Sequence, residues 1–227
     1  ADGVVAAAAA KELETLVESR GFDLVLIGPG LGCCPETAEC VRGFLKGCNL
    51  PSVIDADALN AISRSPKPEN FFGGTGPARI LTPHIGEAER LLKIDRETLK
   101  IFREQSALKL ADLANGVGVL KDFETAIGSV QGAVAPRRAA LNVSGSCELS
   151  KGGTGDVLAG MVAGLWAQSG KLNGFTPETA FESACAAVYL HGECGTLARR
   201  EMTEYCLLAG ELADWLPKAI RKTLVGE

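Results

Sequence analysis

At 227 residues the chain has the length of a single α/β domain and can bury a substantial core. Its 46% hydrophobic and 22% charged residues are ordinary globular values, and a net charge of −5 argues against a nucleic-acid surface or an anionic membrane as partner. No apolar run approaches the ~20 residues of a membrane span, and nothing in the given sequence reads as a secretory signal.

The chain opens on Ala1 rather than methionine, as expected of a processed or trimmed chain or of a portion of a longer one. Residues 5–20 read as a helix with Leu13, Leu16 and Val17 on one face, stopping at Gly21 in the C′ position. The runs "DLVLIG" (23–28), "PSVID" (51–55), "ARILTP" (78–83) and "GVGVLK" (116–121) read as buried strands of a parallel sheet. Helical patterns lie between them near 36–46, 86–93 and 96–114. This alternation predicts βαβ units with helices on both faces of the sheet. Residues 66–76, with Phe71 and Phe72, read as a loop making an excursion beside the core.

From residue 125 onward "TAIGSVQGAVA" and "RAALNVS" predict a hairpin or short antiparallel strands, followed by helices near 156–169, 177–199 and 203–224. Thr176 and Pro177 form an N-cap and N1 pair, and Pro217 is expected to kink or divide the last helix. Ala159, Gly160, Ala163 and Gly164 suggest one closely packed helix face. His191 reads as a core histidine. With no C-x-x-C among eight cysteines and only two histidines, zinc spacing is absent. Cys185, Cys194 and Cys206 lie among alanine and leucine in helical patterns. They read as small buried hydrophobes, reduced thiols of a cytoplasmic compartment.

The stretch "LSKGGTGDVLAG" (149–160) carries the chemistry. Glycines directly before a helix let backbone N–H groups converge on an anion, where the helix start adds a partial positive charge. Asp156 in that place suits a general base that deprotonates a hydroxyl attacking a phosphoryl group. It equally suits a helix-capping residue beside a tight turn. The Walker pattern is absent, so the stretch is no P-loop.

Together, "VLIGPGLG", "VIDADALN", "LTPHIGEAERLL", "GGTGDVLAGMVAGLWAQ" and "AAVYLHG" resemble, in order and form, the ADP- or ATP-dependent NAD(P)H-hydrate dehydratases, repair enzymes of the ribokinase-like superfamily. The resemblance covers nearly the whole chain from about residue 20. It implies one α/β, three-layer, ribokinase-like domain with a mostly parallel central sheet and its N-terminal strands missing or shortened. It also implies a hydro-lyase that phosphorylates the hydroxyl of hydrated NADH or NADPH with ADP or ATP and then eliminates phosphate, with Mg²⁺ at the nucleotide phosphates.

Carried over position by position, Asp156 is the catalytic base and binds substrate, with Gly30, Gly32 and His84 as further substrate contacts. Lys121, Asp122, Phe123, Glu124 and Thr125, with Gly152, Gly153 and Gly155, take the nucleotide. Glu87 would act on Mg²⁺ through water, or serve as a favourable acid at a helix start. Asp55 and Asp57 would orient the site, Asp57 being equally suited to an N-cap. The resemblance further implies a homo-oligomer, a tetramer being the family's habit, and a fused or partner epimerase domain. The chain departs from the family pattern in Asp122 after Lys121, in "GSCEL" (145–149), and in having one helix before the strand at 23–28. Two alternatives stay open: a ribokinase-like kinase of another small hydroxylated metabolite, and a non-catalytic nucleotide-binding subunit.

Overall fold

The computed structural model describes residues 4–72, 76–130, 136–145 and 147–226. Six strands, β1 (Val25–Ile27), β2 (Ser52–Ile54), β3 (Arg79–Leu81), β4 (Val117–Leu120), β5 (Thr125–Ser129) and β6 (Arg138–Asn142), form one sheet in sequence order. The first four are parallel, while β5 and β6 are antiparallel to their neighbours. The expected parallel sheet with an antiparallel end is therefore present. Positions 131–135 of the expected hairpin lie outside the described residues.

Strand side chains alternate between two cores, as the period of two requires. Ile54, Leu81 and Leu120 face α2 (Pro35–Gly47), α3 (Ala56–Ser63), α4 (Ile85–Leu92) and α6 (Arg103–Ala114). Val53, Ile80, Val119 and Ile127 face α7 (Thr154–Asn173) and α8 (Pro177–Cys206). Helix α1 (Ala9–Arg20) ends at Gly21 in the left-handed conformation, as expected for C′. A smaller core joins α8 to α9 (Leu212–Val225). Helices thus cover both faces of the sheet.

Several expectations are corrected. Helix α3 follows β2 directly, with Ala58, Leu59, Ala61 and Ile62 buried, a helical spacing hidden behind the strand-ending aspartate. The long helix expected at 96–114 is two helices, α5 (Arg96–Ile101) and α6, because Phe102 leaves helical geometry at φ −110, ψ 48. Phe71 and Phe72 are no excursion: they close a short 3-10 turn and are buried in the core. Positions 73–75 of that segment lie outside the described residues. Helix α8 runs past 199 to Cys206, with Thr203 out of helical geometry at φ 68. Cys206, beyond that point, is an exposed thiol rather than a buried one; Cys194 is buried, Cys185 half-buried, and all eight cysteines are free. Pro217 lies inside a continuous α9. It is on the solvent side, where the carbonyl it deprives of a partner meets water. On α7, Ala159 and Ala163 are buried, but Gly160 and Gly164 face open space, so the packed face is narrower than the sequence suggests. Among the described residues, no helix is long and apolar enough to cross a membrane.

Candidate active site

A cavity of about 460 Å³ opens where the parallel strands end, the usual place for a site in such a sheet. Most of its walls come from strand ends and helix starts, and the middle of α8 closes one side. Asp55 follows β2, His84 lies between β3 and α4 with Glu87 in the first turn of α4, and Lys121 to Phe123 follow β4. Gly153, Gly155 and Asp156 come from the start of α7.

The start of α7 has no side-chain cap: Gly153 occupies the N-cap position at φ 89, a conformation glycine adopts without steric cost. The N–H groups of the first turn have no intrahelical acceptors, so those of Gly155 and Asp156 are available beside the cavity. The loop is braced from outside instead. Thr154 Oγ1 donates to the carbonyls of Leu149 at 2.7 Å and Lys151 at 2.9 Å, and Lys151 Nζ donates to the Leu207 carbonyl at 2.7 Å. The Asp156 side chain is exposed at the cavity wall.

Opposite stands a charged pair. Lys121 Nζ donates to Asp55 Oδ1 at 2.7 Å, with Asp55 wholly buried and its Oδ2 without a hydrogen-bond partner. The backbone of Lys121 is fixed by its N–H to the Pro83 carbonyl at 2.8 Å. Thr125 Oγ1 donates to the Asp122 carbonyl at 3.2 Å and closes the turn 121–125. Phe123 is 78% exposed on this turn.

His84 caps α4. Its Nδ1 accepts from the N–H groups of Gly86 at 2.9 Å and Glu87 at 3.4 Å, while its own backbone N–H donates to Glu87 Oε2 at 2.9 Å. Because Nδ1 is an acceptor here, the neutral ring carries its hydrogen on Nε2, 3.4 Å from Glu87 Oε1. Glu87 is nearly buried and is the reciprocal partner of a capping box, the role its position at a helix start suggested.

The cavity thus brings together His84, Glu87, Lys121, Asp122, Phe123, Thr125, Gly153, Gly155 and Asp156. Gly30, Gly32, Gly152 and Glu124 are not among its walls. Gly32 is held in its loop by its N–H to Asp57 Oδ2 at 2.8 Å, so Asp57 ties down "GPGLG" while Asp55 takes the N-cap position of α3. The Glu124 side chain is paired with Arg103 of α6.

Sequence reasoning missed two contributors. His191, read as core, is buried yet lines the cavity, and its Nε2 donates to the Thr154 carbonyl at 2.9 Å. Burial chiefly, with the nearby Lys121 cation adding to it, lowers its pKa to about 4 despite the Thr154 bond, so it is neutral at pH 7. Ser144, after β6, donates to Asn142 Oδ1 at 3.0 Å and the Tyr189 carbonyl at 3.2 Å. The signal was the histidine–glycine pair directly after the apolar run 184–190: a Cβ on Gly192 would fall 2.1 Å from Ser144 Oγ. Ser146, within the departing "GSCEL" stretch, lies outside the described residues.

A family model described as NAD(P)H-hydrate dehydratase matches residues 3–218. The bifunctional NAD(P)H-hydrate repair enzyme Nnr of Moorella thermoacetica is 36% identical over 209 residues, which is 92% of this chain and 36% of that protein. The ADP/ATP-dependent NAD(P)H-hydrate dehydratase of Bacillus subtilis, co-crystallised with ATP and Mg²⁺ and soaked with CoA, superposes with a TM-score of 0.69 at 32% identity, covering 88% of this chain and 66% of that one. A ribokinase-like superfamily protein of Enterococcus faecalis reaches a TM-score of 0.72 at 28% identity, covering 96% of this chain and 69% of that one. The chain spans little more than a third of the length of the bifunctional relative and about two thirds of the Bacillus enzyme. By the family match along nearly its whole length, the chain belongs to the NAD(P)H-hydrate dehydratase family.

Proposed function

We propose that this protein restores hydrated NADH or NADPH with ADP or ATP as phosphoryl donor. The observation that carries the reading is Asp156 beside an uncapped helix start, in a cavity that also holds the Lys121–Asp55 pair. A helix start with free N–H groups accommodates the donor's terminal phosphoryl group. Asp156 takes the proton of the substrate hydroxyl as that oxygen bonds to phosphorus and the bridging P–O bond breaks, releasing AMP from ADP or ADP from ATP. The phosphorylated hydrate then loses phosphate with the C–O bonding electrons. Loss of a proton from the neighbouring ring carbon restores the double bond across which water had added. The N–H groups of the α7 start stabilise charge on the transferred group without reorganising.

Among the described residues, no three side chains of ligating type converge on one point. The site fits a Mg²⁺ ion carried largely on nucleotide phosphates and water, which this ion favours. Glu87, Asp122 and Asp156 would bear on its water shell. When bound, it would offset phosphate charge.

The test is direct. Purified protein given ADP or ATP, Mg²⁺ and hydrated NADH should regain absorbance at the reduced-nicotinamide wavelength. Nucleotide binding without turnover would leave a binding module, and turnover of a vitamin precursor or sugar in place of the hydrate would make the protein a general small-molecule kinase.

A further inference from the structure

The cavity gives hydrated NADH or NADPH a place for its reacting ring, but either dinucleotide also carries a diphosphate, and NADPH a further phosphate on its adenosine ribose. In a chain of net charge −5, such a ligand needs cations gathered along its path. Several arginines are committed elsewhere. Arg96, Arg103 and Arg137 each pair with a carboxylate, and Arg79 is buried on backbone carbonyls. Arg64 and Arg90 are different: both are exposed, and among the described residues both are bound by neutral acceptors only. Arg64 Nη1 donates to the Cys33 carbonyl at 2.6 Å, and Arg90 Nε and Nη2 donate to Asn60 Oδ1 at 3.0 and 2.8 Å. A guanidinium has five donors, so each is held in place yet keeps more donors free than it spends.

The two arginines meet at one loop beside the cavity. A Cβ on Gly28 would fall 1.8 Å from the Asp55 carbonyl oxygen. Asp57 accepts from the Gly32 N–H at 2.8 Å and from the Cys33 thiol at 2.9 Å. Asp55 lines the cavity, so the loop 28–33 runs along its rim. The Asp57 hydrogen bond and burial push the Cys33 thiol above its ordinary pKa, while the charges of Arg64 and Arg90 both pull it down. Both guanidinium groups therefore stand around the same residue. Both oxygens of Asp57 are taken up by the loop, and among the described residues neither arginine is paired with them. Over Gly30 and Gly32 lies open space, since a Cβ on either would meet nothing within 4 Å.

Resting on the function proposed above, we propose that Arg64, Arg90 and the open loop 30–33 form an anion subsite that binds a phosphate of the dinucleotide substrate outside the cavity. The hydrated ring enters the cavity toward Asp156. The diphosphate or the ribose 2′-phosphate lies over the loop, where the guanidinium forks donate to its oxygens. This accounts for Gly30 and Gly32 standing outside the cavity wall although the family resemblance gives them to the substrate. They bear on its phosphate end and not on the reacting ring. No bond forms or breaks at this subsite, so it sets KM and the choice between the two cofactors, not kcat.

Arg64→Gln and Arg90→Gln test this with hydrated NADPH and hydrated NADH in parallel. Each variant should raise KM for hydrated NADPH by about tenfold, with kcat, KM for ADP and the melting temperature close to wild type. A rise confined to hydrated NADPH assigns the subsite to the 2′-phosphate, and a rise shared by both hydrates assigns it to the diphosphate. An unchanged KM for both hydrates would overturn the proposal. So would a loss that follows kcat or the melting temperature instead of KM, which would leave the two arginines as struts around α3. Calorimetric titration with hydrated NADPH in the absence of nucleotide separates this subsite from the functional reading. If wild type binds the hydrate and the variants bind it about tenfold more weakly, the subsite stands even when turnover fails and the functional reading falls. Equal binding by wild type and variants, or none by wild type, would overturn the subsite whatever the turnover.

Discussion

Helices α4 and α7 both start on the cavity wall, and they treat their first turns in opposite ways. In α4, His84 accepts two backbone N–H groups and Glu87 returns the bond to the His84 backbone, so the helix covers its own start. In α7, Gly153 offers no side chain, and the brace comes from Thr154, Lys151 and His191, which bind carbonyls and leave the N–H groups of Gly155 and Asp156 uncapped. An N-cap side chain is worth about 1 kcal/mol. A helix start that forgoes it at the mouth of a cavity keeps its donors for something else. The contrast separates a helix start closed by its own side chains from one whose first-turn donors stay open to the cavity.

The largest effect that would break this contrast is at Asp156. Its carboxylate is exposed on the cavity wall, so Asp156→Asn should leave the melting temperature close to wild type. Turnover should fall about a thousandfold or more, in the range of a lost general base, with ADP affinity largely kept. An Asn variant that retains turnover would reduce Asp156 to a first-turn acid and make α7 no more than an ordinary helix start.

The next effect lies in the brace. His191 has its pKa lowered to about 4 by burial, against an ordinary value near 6.5. The unfolded chain therefore binds this proton more readily than the folded one, so stability is complete above pH ~6.5 and is lost as the pH falls toward 4, by up to about 3 kcal/mol. His191→Gln keeps a donor for the Thr154 carbonyl but cannot titrate. Urea melts across this pH range should show a flatter loss for the variant; an unchanged slope would mean that other groups set the acid limit. Gly155→Ala should come third. Its methyl would stand 3.2 Å from Lys121 Nζ, and displacing the ammonium should raise the apparent Kd for ADP by about tenfold, with AMP affected less. Equal losses for both nucleotides would mean the methyl acts on the helix start rather than on the terminal phosphate.

Much of this arrangement was legible because the chain marks strand ends and helix starts with particular residues. The apolar runs ending at Gly28, Asp55, Pro83 and Lys121 gave the parallel strands, and "GGTGD" gave a glycine-led helix start with Asp156 open as base or cap. The errors came where a residue serves two neighbours. Asp55 ends a strand pattern, so α3 behind it went unread; its carboxylate makes no cap bond because it is engaged with Lys121, 66 positions away. No one-dimensional pattern announces such a pair. His191 looked like an ordinary core residue because it is buried, and only the fold reveals which carbonyl it holds. Glu124 sits in the nucleotide turn by sequence, yet its side chain turns to Arg103 on the neighbouring helix.

The smallest expected effect probes the closed helix start. His84 combines a capping nitrogen with a ring half-exposed at the cavity, and the two roles separate by substitution. Asparagine is among the best N-cap residues, whereas alanine is poor. His84→Ala should therefore lose about 1 kcal/mol of stability by denaturant melts, and His84→Asn only a fraction of that. Both variants lack the imidazole, so both should raise KM for the hydrated cofactor by a similar factor. Equal stability losses would mean that the ring acts through packing rather than through its Nδ1. A KM that recovers with asparagine would mean that the cap, and not the imidazole, shapes the substrate side of the cavity. Either result would erase the distinction between a helix start that serves itself and one that serves a ligand.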